Sequence, residues 1–253
     1  MTLCVALKGA EGLVLAADSR GTFGDPRGVT AQNDSQKKAH ILSPHVALLM
    51  SGAAELGSNI LLRRPQDDFP DGVTAAMEKI REVARQSYGT WLPHLLPQVP
   101  QGIPALPRPD LGFIIAGYDP AQGSEPAVAR LYTMVSGLDF APMLHEYGFA
   151  LQGIAQYALY ILNRLYEPDR TLPELTALAV YAVTETVSQD GKVGGPVRVI
   201  TIKPVEGCSE LPAAEVEMVV EANKLRSENL KMSFYSHEAT ESPVPAVKEK
   251  ENA

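Results

Sequence analysis

The order of patterned segments along the chain predicts an α+β fold arranged as a four-layer αββα sandwich. Three observations carry that expectation. Short apolar runs of strand length occur in neighbouring groups, segments with helical periodicity occur in pairs, and the sequence runs strands, two helices, strands, two helices, strand. Strands grouped in this way form antiparallel sheets, and each helix pair covers the outer face of one sheet. The chain has 253 residues, 45% of them apolar, enough for one domain with a full core.

Taken in order, Leu3–Lys8 and Gly12–Asp18 are two apolar runs separated by Gly9-Ala10-Glu11-Gly12, the pattern of a hairpin of buried strands. Residues 21–28 are rich in Gly, Asp and Pro and read as turns, and polar residues continue through Lys38. His45–Ser51 is a further strand ending at Gly52. Helices follow over about 53–64 and 73–88; in the second, Val73, Ala76, Met77, Ile80, Val83, Ala84 and Tyr88 recur at spacings of three and four on one face. Six prolines between Leu92 and Pro109 forbid both helix and central strand there, giving an extended surface loop. Strands are expected at 111–118, 127–135 and 147–152, helices at 154–166 and 172–189, and a last core strand at 197–203. Residues 213–230 read as a charged amphipathic helix, and 237–253, rich in Pro, Glu and Lys, as disordered.

Composition narrows the functional classes. A net charge of −8 argues against general nucleic-acid binding, which needs a basic surface. No apolar run reaches the roughly 18 to 20 residues that span a bilayer, and the chain opens without a secretory-type leader. Cys4 and Cys208 are too few for a disulfide framework or a metal site. The expectation is a cytoplasmic protein that uses no metal and no cofactor.

Chemistry enters at the second residue. Trimming of Met1, routine before a small residue, would leave Thr2 with a hydroxyl and a free α-amine on adjacent atoms. An amine of that kind has an unperturbed pKa near 8, and the pair is a recognised activated nucleophile. Taken alone, the rest of the constellation has plainer readings. Asp18 would cap a turn, Lys38 beside Lys37 would be a solvated charge, Gly52 a turn glycine, and Asp190-Gly191 a common turn dipeptide.

Their joint register says otherwise. Gly12-Leu13-Val14-Leu15-Ala16-Ala17-Asp18-Ser19-Arg20 resembles the second strand of proteasome β-type subunits and of related bacterial peptidases in the N-terminal-nucleophile hydrolase family. Asp18 lies sixteen residues after Thr2 and Arg20 two further on, while Lys38 and Gly52 are separated by fourteen; all of these are the family's offsets. Lys37 would break the second spacing. Asp190-Gly191-Lys192-Val193-Gly194-Gly195 resembles the family's Asp-x-x-Ser-Gly-Gly stretch before its last core strand. The resemblance implies Thr2 as nucleophile, a Lys38–Asp18 pair that places positive charge beside it, the Gly52 N–H as oxyanion-hole donor, and Asp190 and Arg20 in support, with Arg20 bracing Asp18 or Asp190.

It also implies a specificity pocket formed by Gly21, Gln36, His40, Met50, Ala54 and Ser58, mainly apolar and suited to cleavage after apolar residues. Residues 2–204 would be the hydrolase domain, including the Pro-rich surface loop 92–110, with 205–236 a helical extension and 237–253 a tail. Family members form rings or spirals of identical subunits that take polypeptide substrates, often fed by a separate ATPase unfoldase. No Gly-x-x-x-x-Gly-Lys-Ser/Thr loop is present, so nucleotide use would belong to a partner. A start at Met1-Thr2 resembles the simpler bacterial relatives: the peptidase of the two-component ATP-dependent protease, Anbu-type proteins and betaproteobacterial homologues.

The pattern also departs from the family. Gly153 and Val193 stand where two supporting serines are expected, so both hydroxyls that would orient the amine are missing. That leaves two alternatives to a threonine peptidase: a catalytically silent structural subunit of such a ring, and another N-terminal-nucleophile amidohydrolase or ligase.

Overall fold

The structure, a computed structural model, describes residues 2–25, 28–65, 69–90, 109–121, 123 and 125–235. Met1, most of the Pro-rich loop and the tail from residue 237 lie outside the described residues. Among the described residues, two five-stranded sheets and one separate hairpin account for the strands, every pair being antiparallel.

The first sheet has the order β10-β1-β2-β11-β12, from β1 (Leu3–Lys8), β2 (Leu13–Ala17), β10 (Phe149–Gly153), β11 (Arg198–Lys203) and β12 (Gly207–Glu210). The second has the order β5-β6-β7-β8-β9, from β5 (Ala39–Ser43), β6 (Val46–Gly52), β7 (Leu111–Asp119), β8 (Val128–Val135) and β9 (Met143–Leu144). Between β2 and β5 the hairpin of β3 (Gly21–Asp25) and β4 (Gly28–Asn33) stands apart from both sheets. The helices are α1 (Ala54–Arg63), α2 (Val73–Thr90), α3 (Gln156–Leu165), α4 (Leu172–Gln189) and α5 (Ala213–Tyr235).

Successive strand residues point to opposite faces, and three apolar clusters divide along that alternation. Leu3, Val5, Leu7, Val14 and Ala16 turn to one side of the first sheet, against Leu162 of α3 and Leu175, Ala179 and Val183 of α4. Cys4, Ala6, Leu13, Leu15 and Ala17 turn to the other side, where they meet Ala47, Leu49, Ile114 and Ala116 of the second sheet. Val46, Leu48, Met50, Phe113 and Ile115 face away from that contact, onto Ile60 of α1 and Ala76, Met77 and Ile80 of α2. Strands buried on both faces show no polar alternation, which is why β1, β2 and β6 read as unbroken apolar runs. Many of the residues between the sheets are alanines, which lets the two backbones approach.

Helix α4 begins with a capping box: the Thr171 side chain accepts from the Glu174 N–H, the Glu174 carboxylate accepts from the Thr171 N–H, and Pro173 lies in the first turn. Its bounds are those the sequence predicts. Five strands differ from expectation. The segment expected to be turns holds the β3–β4 hairpin, the stretch before His45 holds β5, and β9 and β12 are additional. After Lys203 the chain turns back as β12 and pairs with β11 before entering α5, which runs on to Tyr235. Val216 of α5 is buried in the cluster over the first sheet, and the Asn223 amide donates to the Ala177 carbonyl of α4.

Candidate active site

The candidate site lies where the first residues of β1, the end of β2, the start of β5 and the end of β6 come together. Asp18, just past β2, is 1% exposed, and its carboxylate collects four donors. Oδ1 accepts from the Leu3 N–H at 3.0 Å and from Lys38 Nζ at 2.7 Å. Oδ2 accepts from the Arg20 N–H at 3.2 Å and the Gly194 N–H at 3.0 Å. One side chain thus joins the chain beside Thr2, the entry to β3, the ammonium of Lys38 and the loop after α4.

Lys38 is 3% exposed and immediately precedes β5. Its Nζ donates to Asp18 Oδ1 and to the Arg20 carbonyl, both at 2.7 Å. An ammonium carries three donors, so one N–H remains for the cavity that Lys38 and Thr2 both line. Burial pushes the Lys38 pKa below the usual lysine value, and the neighbouring Asp18 carboxylate opposes that shift.

Thr2 is 6% exposed and its backbone is held on both sides. Its carbonyl accepts from the Ile154 N–H at 2.8 Å, and the next N–H, that of Leu3, goes to Asp18. Gly153, paired with Leu3 in the β1–β10 ladder, adopts φ +87°, and a Cβ there would overlap the Thr2 carbonyl oxygen. Glycine is therefore dictated by the backbone at 153, and no serine hydroxyl fits that position. Val193 is wholly buried in the apolar cluster over the first sheet.

Gly52 ends β6 at φ +92°. The Met50 N–H bonds to the Lys38 carbonyl on the β5 side of the strand. N–H directions alternate along an antiparallel strand, so the Gly52 N–H points to that same side, past the end of β5. A cavity of about 150 Å³ opens there, lined by Thr2, Lys38, Gly52, Arg20, Gly21, Gln36, Met50 and Ala54, and also by Thr22, Ala53 and Glu55.

Some expected residues stand elsewhere. The Arg20 guanidinium braces neither Asp18 nor Asp190, although the Arg20 N–H donates to Asp18: it grips Asp34, Nε to Oδ1 at 2.7 Å and Nη2 to Oδ2 at 2.8 Å, and Nη1 donates to the Gly191 carbonyl. Asp34 carries no motif, so spacing does not single it out. Asp190 lies outside the cavity; it ends α4, and its carboxylate accepts from the Lys192 N–H in a local turn. His40 and Ser58 do not line the cavity either. The His40 Nε2 lies 3.3 Å from the Lys37 carbonyl, and burial lowers its pKa to about 4. The expected apolar lining is only partial: Met50, Ala53 and Ala54 supply it, while Thr2, Arg20, Thr22, Gln36, Lys38 and Glu55 are polar or charged. Helix α1 supplies Glu55 one residue after Ala54, at a position that belongs to no motif in the sequence.

No described helix is long and apolar enough to cross a membrane. No family model matches the chain. It is 29% identical over 230 residues to a protein named proteasome subunit beta 2 from Thermomonospora curvata, covering 87% of this chain and 75% of that one. It is 28% identical over 221 residues to a proteasome subunit beta 2 from Pyrococcus furiosus, covering 87% of this chain and 95% of that one. Among solved structures, an Anbu glycine mutant from Hyphomicrobium superposes with TM-score 0.70 at 18% identity, covering 95% of this chain and all of that one. The Anbu complex of Pseudomonas aeruginosa, described as a helical assembly, gives TM-score 0.68 at 18% identity, with 96% and 99% covered. An Anbu protein from Yersinia bercovieri, described as an ancestral beta-subunit, also gives 0.68 at 18% identity, with 97% and 99% covered. The backbone superposes on the Anbu structures and the sequence aligns with proteasome β subunits over 87% of its length, so the chain is similar to proteasome-like proteins in both sequence and fold.

Proposed function

We propose that the chain is a threonine-type endopeptidase whose nucleophile is Thr2 after removal of Met1. The observation that carries this reading is the sealed Lys38–Asp18 pair opening onto the small cavity that Thr2 and Gly52 share. In the reading, Thr2 Oγ attacks a peptide carbonyl and its proton passes to the α-amine, directly or through a water. The Lys38 ammonium favours the deprotonated hydroxyl and the neutral amine. The Gly52 N–H stabilises the tetrahedral oxyanion, an effect commonly worth about 3 kcal/mol, and the resulting acyl ester is released by water. The β-branch of threonine restricts χ1, so little rotamer freedom is lost on attack. Asp190 acts here through the turn it forms after α4, and Met50 and Ala54 give the cavity an apolar wall.

We read the three apolar clusters as the interfaces of a four-layer αββα sandwich, with residues 2–204 as the hydrolase body. On the same reading identical subunits assemble into a ring or spiral, in the manner of the helical assembly of the Pseudomonas complex, and any unfoldase ATPase is a separate chain. A silent structural subunit is the second reading, favoured by the absence of a hydroxyl at both Gly153 and Val193.

Intact mass spectrometry before and after treatment with a peptide epoxyketone separates the two, because that reagent joins both the hydroxyl and the amine of an N-terminal threonine. The expected result is one adduct per chain on protein lacking Met1. A retained Met1 with no adduct would overturn the peptidase reading.

A further inference from the structure

The cavity beside Thr2 has an apolar wall and an acidic one. Met50, 2% exposed and packed under α1, and Ala54 form the first. Glu55, in the first turn of α1, forms the second. Two cationic side chains share the lining, and each is paired with its own carboxylate, Lys38 with Asp18 and Arg20 with Asp34. Among the described residues no ion pair involves Glu55, and a carboxylate in a helix's first turn is the charge that the helix dipole suits.

We infer, resting on the reading of Thr2 as nucleophile, that Glu55 is a specificity-determining residue and that the cavity takes a lysine or arginine side chain. Such a side chain is an aliphatic stem carrying a cation. Its stem matches Met50 and Ala54, and its charged end reaches the carboxylate. Glu55 is exposed, so a purely apolar side chain of the same length gains nothing from it while an acidic one is repelled, and the same residue both attracts and excludes.

The test uses two peptide epoxyketones identical except for arginine or norleucine next to the warhead. Rates of adduct formation are followed by intact mass on the full chain and on Glu55→Gln. The expected result is faster labelling by the arginine reagent in the wild type, with the arginine-to-norleucine ratio falling about five- to tenfold in Glu55→Gln. The wild-type ratio should also shrink as salt is raised, because the pair is partly exposed. Equal labelling by both reagents, or a ratio unchanged in Glu55→Gln, overturns the Glu55 assignment and leaves Thr2 standing. No labelling by either overturns the Thr2 reading and this inference with it.

Discussion

Lys38 Nζ stands 2.7 Å from Asp18 Oδ1, and both side chains are almost wholly buried: 4% of the lysine and none of the aspartate is exposed. Isolated charges are costly in such a place, and the Asp18 carboxylate answers that cost with four donors rather than one. Thr2 inherits its position from the same carboxylate through the Leu3 N–H.

A pH prediction follows from this pair. Burial lowers the folded pKa of Lys38 below its ordinary value of 10.5. Between that lowered value and 10.5 the unfolded chain binds the proton and the folded one does not, so stability rises with pH across that window. Activity should move the other way, since the ammonium is lost there: the alkaline limb of kcat/KM should fall below pH 10.5. Asp18→Asn should shift that limb further down and cost about 3–5 kcal/mol in urea unfolding. An alkaline limb left in place by Asp18→Asn would mean that another group sets it.

The Arg20–Asp34 clamp should matter through Lys38. The Arg20 carbonyl is the second acceptor of the Lys38 ammonium, and the guanidinium of the same residue is fixed by Asp34 and Gly191. A side chain at Gly194 would run into that guanidinium, so the loop after α4 is shaped around it. Asp34→Asn should lower kcat several-fold with KM little changed, and Asp34→Glu should recover part of the loss. The Arg20 guanidinium holds Asp34 below the usual carboxylate range. The pair's stabilisation is therefore present above pH 3.8 and is lost as pH falls through the lower folded value. Melting temperatures recorded from about pH 5 downward should lose that acid-side component in Asp34→Asn; a matching pH dependence in both proteins would refute it.

The residues that lie on apolar periodicity or on fixed offsets were legible in the sequence. Strands β1, β2 and β6 announce themselves because both of their faces are buried, and α4 because its cap and its apolar face agree. Thr2, Lys38 and Gly52, which the family resemblance singles out, line one cavity, and Asp18 bonds to Lys38. What escaped has a physical reason in each case. The β3–β4 hairpin is held by its own ladder, apart from both sheets, and a turn-rich composition hides it. Strands β9 and β12 are two and four residues long, too short for a period to show. Asp34 and Glu55 act through charge and place rather than through any motif. That Gly153 stands in place of the family's serine was legible; the positive φ and the Thr2 carbonyl, which leave no room for a Cβ, supply its physical reason.

The constraint at 153 can be checked by putting the serine back. Gly153→Ser should not raise activity, because its Cβ must displace the Thr2 carbonyl that Ile154 holds. The left-handed backbone alone costs a non-glycine residue about 1–3 kcal/mol, and the overlap adds to it. Thermal unfolding should therefore begin several degrees lower, and epoxyketone labelling should slow. Unchanged melting with faster labelling would show that the strand can shift and that a hydroxyl is accepted there.

Helix α5 offers a test of how far the chain beyond Lys203 belongs to the body. Asn223 is 4% exposed on the helix face turned to α4; its amide donates to the Ala177 carbonyl at 2.9 Å, and its oxygen accepts from Arg226. Val216, two turns earlier on the same face, is buried with the α4 cluster. Replacing Asn223 by alanine removes this donor from a part-buried contact, at a cost of about 1 kcal/mol. The expected signature is faster amide exchange across residues 213–235, with exchange in β1 and β2 and labelling at Thr2 unaltered. If exchange instead accelerates equally in α5 and in the first sheet, β12 and α5 unfold together with the body, and residues 205–236 are a working part of the domain rather than an extension of it.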